Sequence, residues 1–373
     1  YEESELVNGK APTGAEVEWV EEENYFFRLS EWAEPLLRHY AEHPDFIGPT
    51  SRRNEVVSFV KGGLRDLSIS RTSFSWGIPV PGNPKHVIYV WLDALTNYLT
   101  AASYPDTRNV EYSTFWPPSL QMVGKDIIRF HCVYWPAFLM AAGLKLPERV
   151  FAHGWWTVEG QKMSKSLGNF VPPQQVVDAY GCDAVRYFLL RELPFGSDGD
   201  FSHRAIVQRI NADLANDFGN LAQRVLSMIN RNGEGRVPPL GRLTAEDEAL
   251  LAAARGLLAR QRAAYGEQSF HRALEMIWEV VGSANRYVDE QAPWTLKKTD
   301  PARMGTVLHV LAEVIRHLAI LVQPIVPEAA SRLLDQLAVP AERRDFAALA
   351  APLTAGTVLP KPEGIFPRHV EAV

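Results

Sequence analysis

The chain has 373 residues, more than one ordinary hydrophobic core fills, so two or three domains are expected. Its 46% hydrophobic and 22% charged residues make a normal globular mix, no apolar run approaches the roughly 20 residues of a membrane span, and a net charge of −6 does not mark a nucleic-acid binder. The two distant cysteines, Cys132 and Cys182, exclude a disulfide framework and a Cys-rich zinc knuckle, and they suit a reducing compartment.

The chain opens at Tyr1 in loop-like material, with Asn8-Gly9 and then Pro12-Thr13-Gly14, and no signal or transit peptide follows. It is expected to lack its natural N-terminus. Residues 26–45 carry helical spacing through Phe27, Trp32, Leu36, Leu37 and Tyr40. The run HVIYVWLDA, 86–94, fits a buried parallel strand. A second short strand, 119–126, ends in a glycine; 127–142 is an aromatic-rich buried helix; 149–161 is a third strand turning at Glu159-Gly160. Strand, helix and strand in this order predict a βαβ unit.

Beyond residue 200 the pattern becomes helical. Ser202 can cap a long helix whose apolar stripe is Ile206, Ile210, Leu214, Phe218, Leu221, Val225 and Met228. Thr244-x-x-Asp247 resembles a capping box opening the next helix. Further helices are expected at about 269–290, stopping at Pro293, at about 301–322, and from Pro327. Short connections make this a bundle, and the last 23 residues are Pro-rich and irregular.

Three places carry candidate chemistry. The loop 160–169, GQKMSKSLGN, holds Lys162 and Lys165 among small hydroxyls. Backbone N–H groups of such a loop can wrap an anion and two lysines can reach different oxygens of a polyphosphate; the alternative is a solvated surface turn. Trp91, Ala94 and Tyr98 recur as W-x-x-A-x-x-x-Y, and Ile127, His131 and Trp135 share one helical face beside Phe130. Aromatic walls suit a thioether. An aromatic core is the alternative, but Asp126 and His131 interrupt the apolar pattern where a core would not want them. Asp213, Asp217, Asn220 and Arg224 form a polar face on the long helix, and Trp294 follows Pro293 at a helix stop. An Asn and an Arg one turn apart can read base edges and an exposed Trp can stack a splayed base; otherwise the face is merely solvated and the Trp is a cap. Binding of nucleic acid would have to be local, because the stretch 186–236 sets seven arginines against six acids.

The string Lys162-Met163-Ser164-Lys165-Ser166 is the KMSKS signature of class I aminoacyl-tRNA synthetases. Its flanks, FAHGWWTVEGQKMSKSLGN, with YVWLDALTNY (89–98), VGKDIIRFHCVYWPAFL (123–139) and RYVDEQAPW (286–294), closely resemble methionyl-tRNA synthetases, and the resemblance runs essentially end to end. It implies an α/β fold class: the second half of a Rossmann-like nucleotide-binding domain followed by an all-α anticodon-binding helix bundle. It divides the chain into the end of an inserted region (1–25), the half-domain (26–155), the lysine loop and stem-contact region (156–200), the anticodon bundle (201–337) and a tail packing back (338–373).

By the same resemblance Lys165 is the main catalytic lysine and Lys162 supports it. Gly124, Ser164, His153 and Gly154 serve ATP, and Arg71 and Asp126 serve the methionine and ATP site. Trp91, Ala94, Tyr98, Ile127 and His131 line the methionine pocket, with the Tyr98 hydroxyl and His131 near the sulfur. Asn220, Arg224 and Trp294 read the CAU anticodon of methionine tRNAs. The substrates implied are methionine, ATP with Mg2+ and methionine tRNA; no protein-bound zinc and no membrane are expected, and the location implied is cytoplasmic. One departure stands out: many relatives carry Pro-x-Gly after W-x-x-A, where this chain has Leu95-Thr96-Asn97, but Tyr98 keeps its spacing.

The family's second signature, His-x-Gly-His, is not among the 373 residues. This chain alone is therefore expected to be inactive, with the other half a separate or lost polypeptide. Two other readings stay open: a non-catalytic tRNA-binding module, and a relative charging cysteine, isoleucine or valine.

Overall fold

The structure, a computed structural model, describes residues 8, 10–11, 15–17, 23–158, 160–163 and 168–370. Most of the segment 1–22, together with Ser164 and Lys165, lies outside the described residues. The chain divides into two units, Tyr1–His153 and Gly154–Val373.

In the first unit the order is β1 (Phe26–Phe27), α1 (Ala33–Glu42), β2 (Ile47–Gly48), α2 (Thr50–Lys61), β3 (Leu67–Ser68), β4 (Ser70–Arg71), β5 (Pro79–Val80), β6 (Asn83–Ile88), α3 (Val90–Ala101), α4 (Val110–Phe115), β7 (Gln121–Gly124), α5 (Trp135–Ala141) and β8 (Val150–His153). The organising sheet runs β2-β8-β7, all parallel. Val123, Val150 and Ala152 are buried in it and pack with Leu36, Tyr40, Ile128 and Val133. Val150, Phe151 and Ala152 are all buried, on both faces of β8, which is why that strand reads as an apolar run, whereas β7 alternates and leaves Met122 exposed. The predicted βαβ unit is β7, a helical stretch and β8. That stretch is not one α-helix: a 3-10 turn at Lys125–Ile127 and a π-helical turn at Phe130–Tyr134 precede α5.

Two expectations fail here. The run 86–94 is not a parallel strand: β6 ends at Ile88, pairs antiparallel with β4 and β5, and α3 starts at Val90. Leu95 and Leu99 are buried at helical spacing with Trp91 packed beside them, so the apolar run blends a strand end with a helix start. The helix expected from residue 26 begins instead with β1 and a 3-10 turn at Leu29–Trp32, because Phe26 and Phe27 pair with β3.

The second unit contains β9 (Trp156–Val158), β10 (Gln161–Lys162), α6 (Pro173–Tyr180), α7 (Cys182–Arg191), β11 (Gly199–Asp200), α8 (His203–Arg209), a π-helix (Ile210–Gly219), α9 (Asn220–Asn232), α10 (Ala245–Arg255), α11 (Leu257–Gly266), α12 (Phe270–Gln291), α13 (Pro293–Thr299), α14 (Pro301–Val322) and α15 (Pro327–Gln336). The run 149–161 is thus two strands, β8 and β9, broken at Gly154. A Cβ on Gly154 would sit 2.2 Å from the Ser197 carbonyl oxygen, so the chain turns where only glycine fits. Ser202 caps α8 by accepting the Ala205 N–H at 3.1 Å, and Thr244 with Asp247 forms a reciprocal capping box on α10. The stripe from Ile206 to Val225 is buried, but the helix carrying it is α8, the π-segment and α9 in succession.

The core of the bundle is α14. By length and composition it could cross a bilayer, contrary to the reading of the sequence, yet its most apolar stretch is entirely buried, as in the central helix of a globular bundle. Glu313 and Arg316 lie midway along it, paired at 2.6 Å.

Candidate functional site

The first unit sets its aromatic residues on two adjoining elements. Trp91, Ala94 and Tyr98 lie on α3 at i, i+3 and i+7, one face of the helix. The Trp91 ring stacks on Phe130 at 3.8 Å between centroids. His131 is 2% exposed. Its Nδ1 lies 3.0 Å from the Ile127 carbonyl and must donate to it, which leaves Nε2 to accept the Tyr98 hydroxyl at 2.8 Å. Burial pulls the imidazole pKa below its ordinary value, with the Ile127 bond partly offsetting this, so the neutral tautomer is the resting form. Burial likewise raises the Tyr98 phenol. Tyr98 remains 37% exposed, so the pair couples a buried imidazole to a reachable hydroxyl. Trp91 and Ile127 are half-buried and Ala94 is exposed.

The carboxyl ends of β7 and β8 lie side by side, with Gly124 in register with His153. Ligands of open α/β sheets gather outside such strand ends. A Cβ on Gly124 would lie 2.7 Å from the Asp126 carboxylate, so the glycine lets Asp126 fold back over the strand end. Arg71, on β4, donates to Ser68 Oγ and to its neighbour's carbonyl, Ser70 O, both at 2.7 Å, and its guanidinium lies 4.5 Å from the Tyr89 ring centroid. Tyr89 is the residue before α3, so Arg71 is held beside the N-terminal end of the helix that bears Trp91.

In the second unit the lysine loop leaves a hairpin of β9 and β10. Asp200 anchors the hairpin, accepting from the Gly160 N–H at 2.9 Å and the Thr157 hydroxyl at 2.8 Å, and these bonds hold its carboxyl below the usual range. Gly160 and Gly168 both take positive φ, 74° and 67°, a backbone conformation that favours glycine. Lys162 is exposed, its ammonium 4.1 Å from the Trp155 ring centroid, and its carbonyl accepts from Asn169 Nδ2 at 3.2 Å. Gly154, at the start of this unit, is packed against the backbone of Ser197 and Asp198.

Asn220 opens α9, and Arg224 lies one turn on. Arg224 donates to Asp289 of α12 at 2.8 Å, and its guanidinium lies 5.8 Å from the centroid of Trp294, which is 49% exposed on α13. The connection between α12 and α13 is a single left-handed residue, Ala292 at φ 42°, and this elbow sets Trp294 beside Arg224. The polar face expected to include Asp213 is only partly a solvated one. Asp213 is half-buried and takes the Tyr187 hydroxyl at 2.8 Å and Arg209 at 3.2 Å. Sequence reasoning missed Asp289 and Trp155 as partners of Arg224 and Lys162. The first stood in plain view in RYVDEQAPW, but its pairing joins residues 65 apart.

Residues 1–226 match the family described as class I tRNA synthetases (M), and residues 237–372 match the anticodon-binding domain of methionyl tRNA ligase. The chain is 60% identical over 362 residues to a methionine–tRNA ligase of Brucella suis, covering 97% of this chain and 70% of that protein. It is 56% identical over 374 residues to that of Mycobacterium tuberculosis, covering 98% and 72%. Among solved structures, Mycobacterium tuberculosis methionyl-tRNA synthetase in complex with methionyl-adenylate superposes with a TM-score of 0.94 at 56% identity, covering 99% of this chain and 74% of that one. The apo form of the same enzyme gives 0.93 at 54%, covering 100% and 75%.

Proposed function

The chain belongs to the methionyl-tRNA synthetases, and on that premise we propose that it works as a methionine–tRNA ligase: it activates methionine with ATP and transfers it to methionine tRNA. The observation that carries the choice of amino acid is the Tyr98–His131 pair. It places a hydroxyl oxygen and a neutral imidazole beside an aromatic wall, a setting that suits a polarizable thioether.

In the first step a methionine carboxylate oxygen attacks the α-phosphorus of ATP, and the bond to pyrophosphate breaks. The phosphate oxygens gain charge in the transition state, and fixed cations aimed at them lower the barrier with little covalent work. Lys165 and, in support, Lys162 fill that role in our reading, with Ser164 binding ATP and Mg2+ carried in as part of the ATP complex. Gly124, His153 and Gly154 attend the nucleotide, and Arg71 and Asp126 attend methionine and ATP. Trp91, Ala94 and Ile127 line the side-chain pocket. In the second step a ribose hydroxyl of the tRNA attacks the methionyl carbonyl and AMP leaves. Asn220, Arg224 and Trp294 read the anticodon CAU. We assign residues 26–155 to the nucleotide half-domain, 156–200 to the lysine loop and stem contact, 201–337 to the anticodon bundle and 338–373 to the tail. A cytosolic place of action rests on the family alone.

In our reading a further polypeptide supplies the His-x-Gly-His signature, which is not among the 373 residues. Methionine-dependent ATP–pyrophosphate exchange tests the whole reading. With a polypeptide bearing that signature supplied, exchange is expected, and Lys165→Ala should lower it by about 10²–10³, the usual effect of losing one transition-state contact. Exchange unaffected by Lys165→Ala would remove the lysine from its role. No methionine-dependent exchange at all would favour the second reading, a tRNA-binding module without catalysis.

A further inference from the structure

The helix bearing Asn220 and Arg224 is preceded by a π-helix, Ile210–Gly219, ten residues long. At its end the Asn220 N–H is shared between the Ala215 carbonyl, five residues back, and the Asp217 carbonyl, three back. Such widened turns are rare and usually brief. Their effect on the residues beyond them is rotational. An α-helix turns about 100° per residue, so a segment that winds π rather than α changes the direction in which every later side chain points. Asn220 and Arg224 face as they do only while residues 210–219 stay π-wound.

What holds that winding is visible on α12. The Trp278 indole N–H donates to the Asp213 carbonyl at 3.0 Å, and Asn285 Nδ2 donates to the Asp217 carbonyl at 3.1 Å. The two donors lie seven residues apart on α12, two turns along one face. Their acceptors lie four apart inside the π-segment. The next contact in the series is Asp289 to Arg224 itself. The Trp278 ring is also fixed from two sides, 4.6 Å from Tyr187 and 6.2 Å from Phe218.

We propose that Trp278 is a positioning residue for anticodon reading: by holding the Asp213 carbonyl it keeps residues 210–219 in the π form and so sets the direction of Asn220 and Arg224. Trp278 touches no RNA; it acts through the helix. The inference rests on the reading of Asn220, Arg224 and Trp294 as the anticodon reader.

The test uses the full chain with Trp278→Phe, which keeps a ring and removes the N–H. Equilibrium binding is measured with methionine tRNA carrying CAU and with the same tRNA carrying an altered anticodon. One lost neutral hydrogen bond shifts a conformational balance roughly 2- to 10-fold, so the preference for CAU should fall by up to about that factor. Amide hydrogen exchange across 210–219 should quicken while α14 keeps its protection. An unchanged preference for CAU, or exchange that quickens throughout the bundle, overturns the proposal in favour of simple core packing. Trp294→Ala is run beside it. If Trp294→Ala weakens binding and Trp278→Phe leaves the preference intact, this inference alone fails. If Trp294→Ala has no effect, the anticodon reading fails and takes this inference with it.

Discussion

At the scale of single residues, the Tyr98–His131 pair carries the sharpest consequence. Removing the hydroxyl by Tyr98→Phe leaves the ring and its packing but deprives His131 Nε2 of its donor beside the proposed sulfur position. A neutral hydrogen bond contributes about 0.5–1.5 kcal/mol, so kcat/KM for methionine should fall roughly 2- to 10-fold in pyrophosphate exchange. The apolar isostere norleucine should lose less, and an equal loss for both would mean the hydroxyl does not face the substrate. The pair also has a pH signature. The folded His131 pKa lies below the ordinary 6.5, so as pH falls the unfolded chain takes up the proton first. Stability and methionine affinity should therefore be flat from pH 8 to about 6.5 and decline below it, whereas a decline already under way at pH 7.5 would place the pKa on the other side of 6.5. The residues of this pair stood out in the sequence because His131 and Asp126 break an apolar pattern. The tautomer did not, since it is fixed by a side-chain-to-backbone hydrogen bond to the Ile127 carbonyl, which a pattern of apolar residues does not show.

At the scale of elements, α14 shows what periodicity can and cannot reveal. Its span was legible, from Pro301 to near Val322, because proline starts and apolar length are local signals. Its buried charges were not. Glu313 holds Arg316 through both carboxylate oxygens at 2.6 and 2.9 Å and accepts the Leu353 N–H at 2.9 Å, while Arg316 donates to the Ala348 carbonyl at 3.0 Å. The irregular segment near 350 is thus fastened to the core by a charge pair some forty residues upstream, a link no sequence window contains. Burial alone would raise the Glu313 carboxyl, but His317 and Arg316 bring it down to about 2. Glu313→Ala strands a buried guanidinium and should cost about 3–5 kcal/mol, read by urea unfolding. A cost under 1 kcal/mol would mean that water or backbone replaces the carboxylate. The pH sign comes from the depressed value: the stabilisation is complete above the unfolded carboxyl range near 4.3 and is lost as pH falls from there towards 2. The same kind of distance explains the misjudged 86–94 run, whose strand half is fixed by pairing with Ser70 and Arg71 and whose helix half is fixed by packing of Leu95 and Leu99.

At the scale of the whole molecule, activation and anticodon recognition are proposed for different residues, and this makes them separable by mutation. Trp91, Tyr98 and His131 belong to the unit ending at His153, while Asn220, Arg224 and Trp294 belong to the unit that begins at Gly154. The motifs were legible because the lysine signature and the pocket strings are contiguous, so chemistry could be read without a fold. The geometry of the proposed reader was not, because it depends on the left-handed Ala292 and on an Asp289 pairing across 65 residues. A stacked base contributes about 1–3 kcal/mol, so Trp294→Ala should lower kcat/KM for charging methionine tRNA roughly 5- to 150-fold. Pyrophosphate exchange needs no tRNA, and in the same preparation it should keep its rate. The residual charging should also discriminate less against altered anticodons, since the proposed contact is to a base rather than to phosphate. If exchange and charging fell together, Trp294 would be supporting the fold, and the exposed indole beside Arg224 would need another explanation.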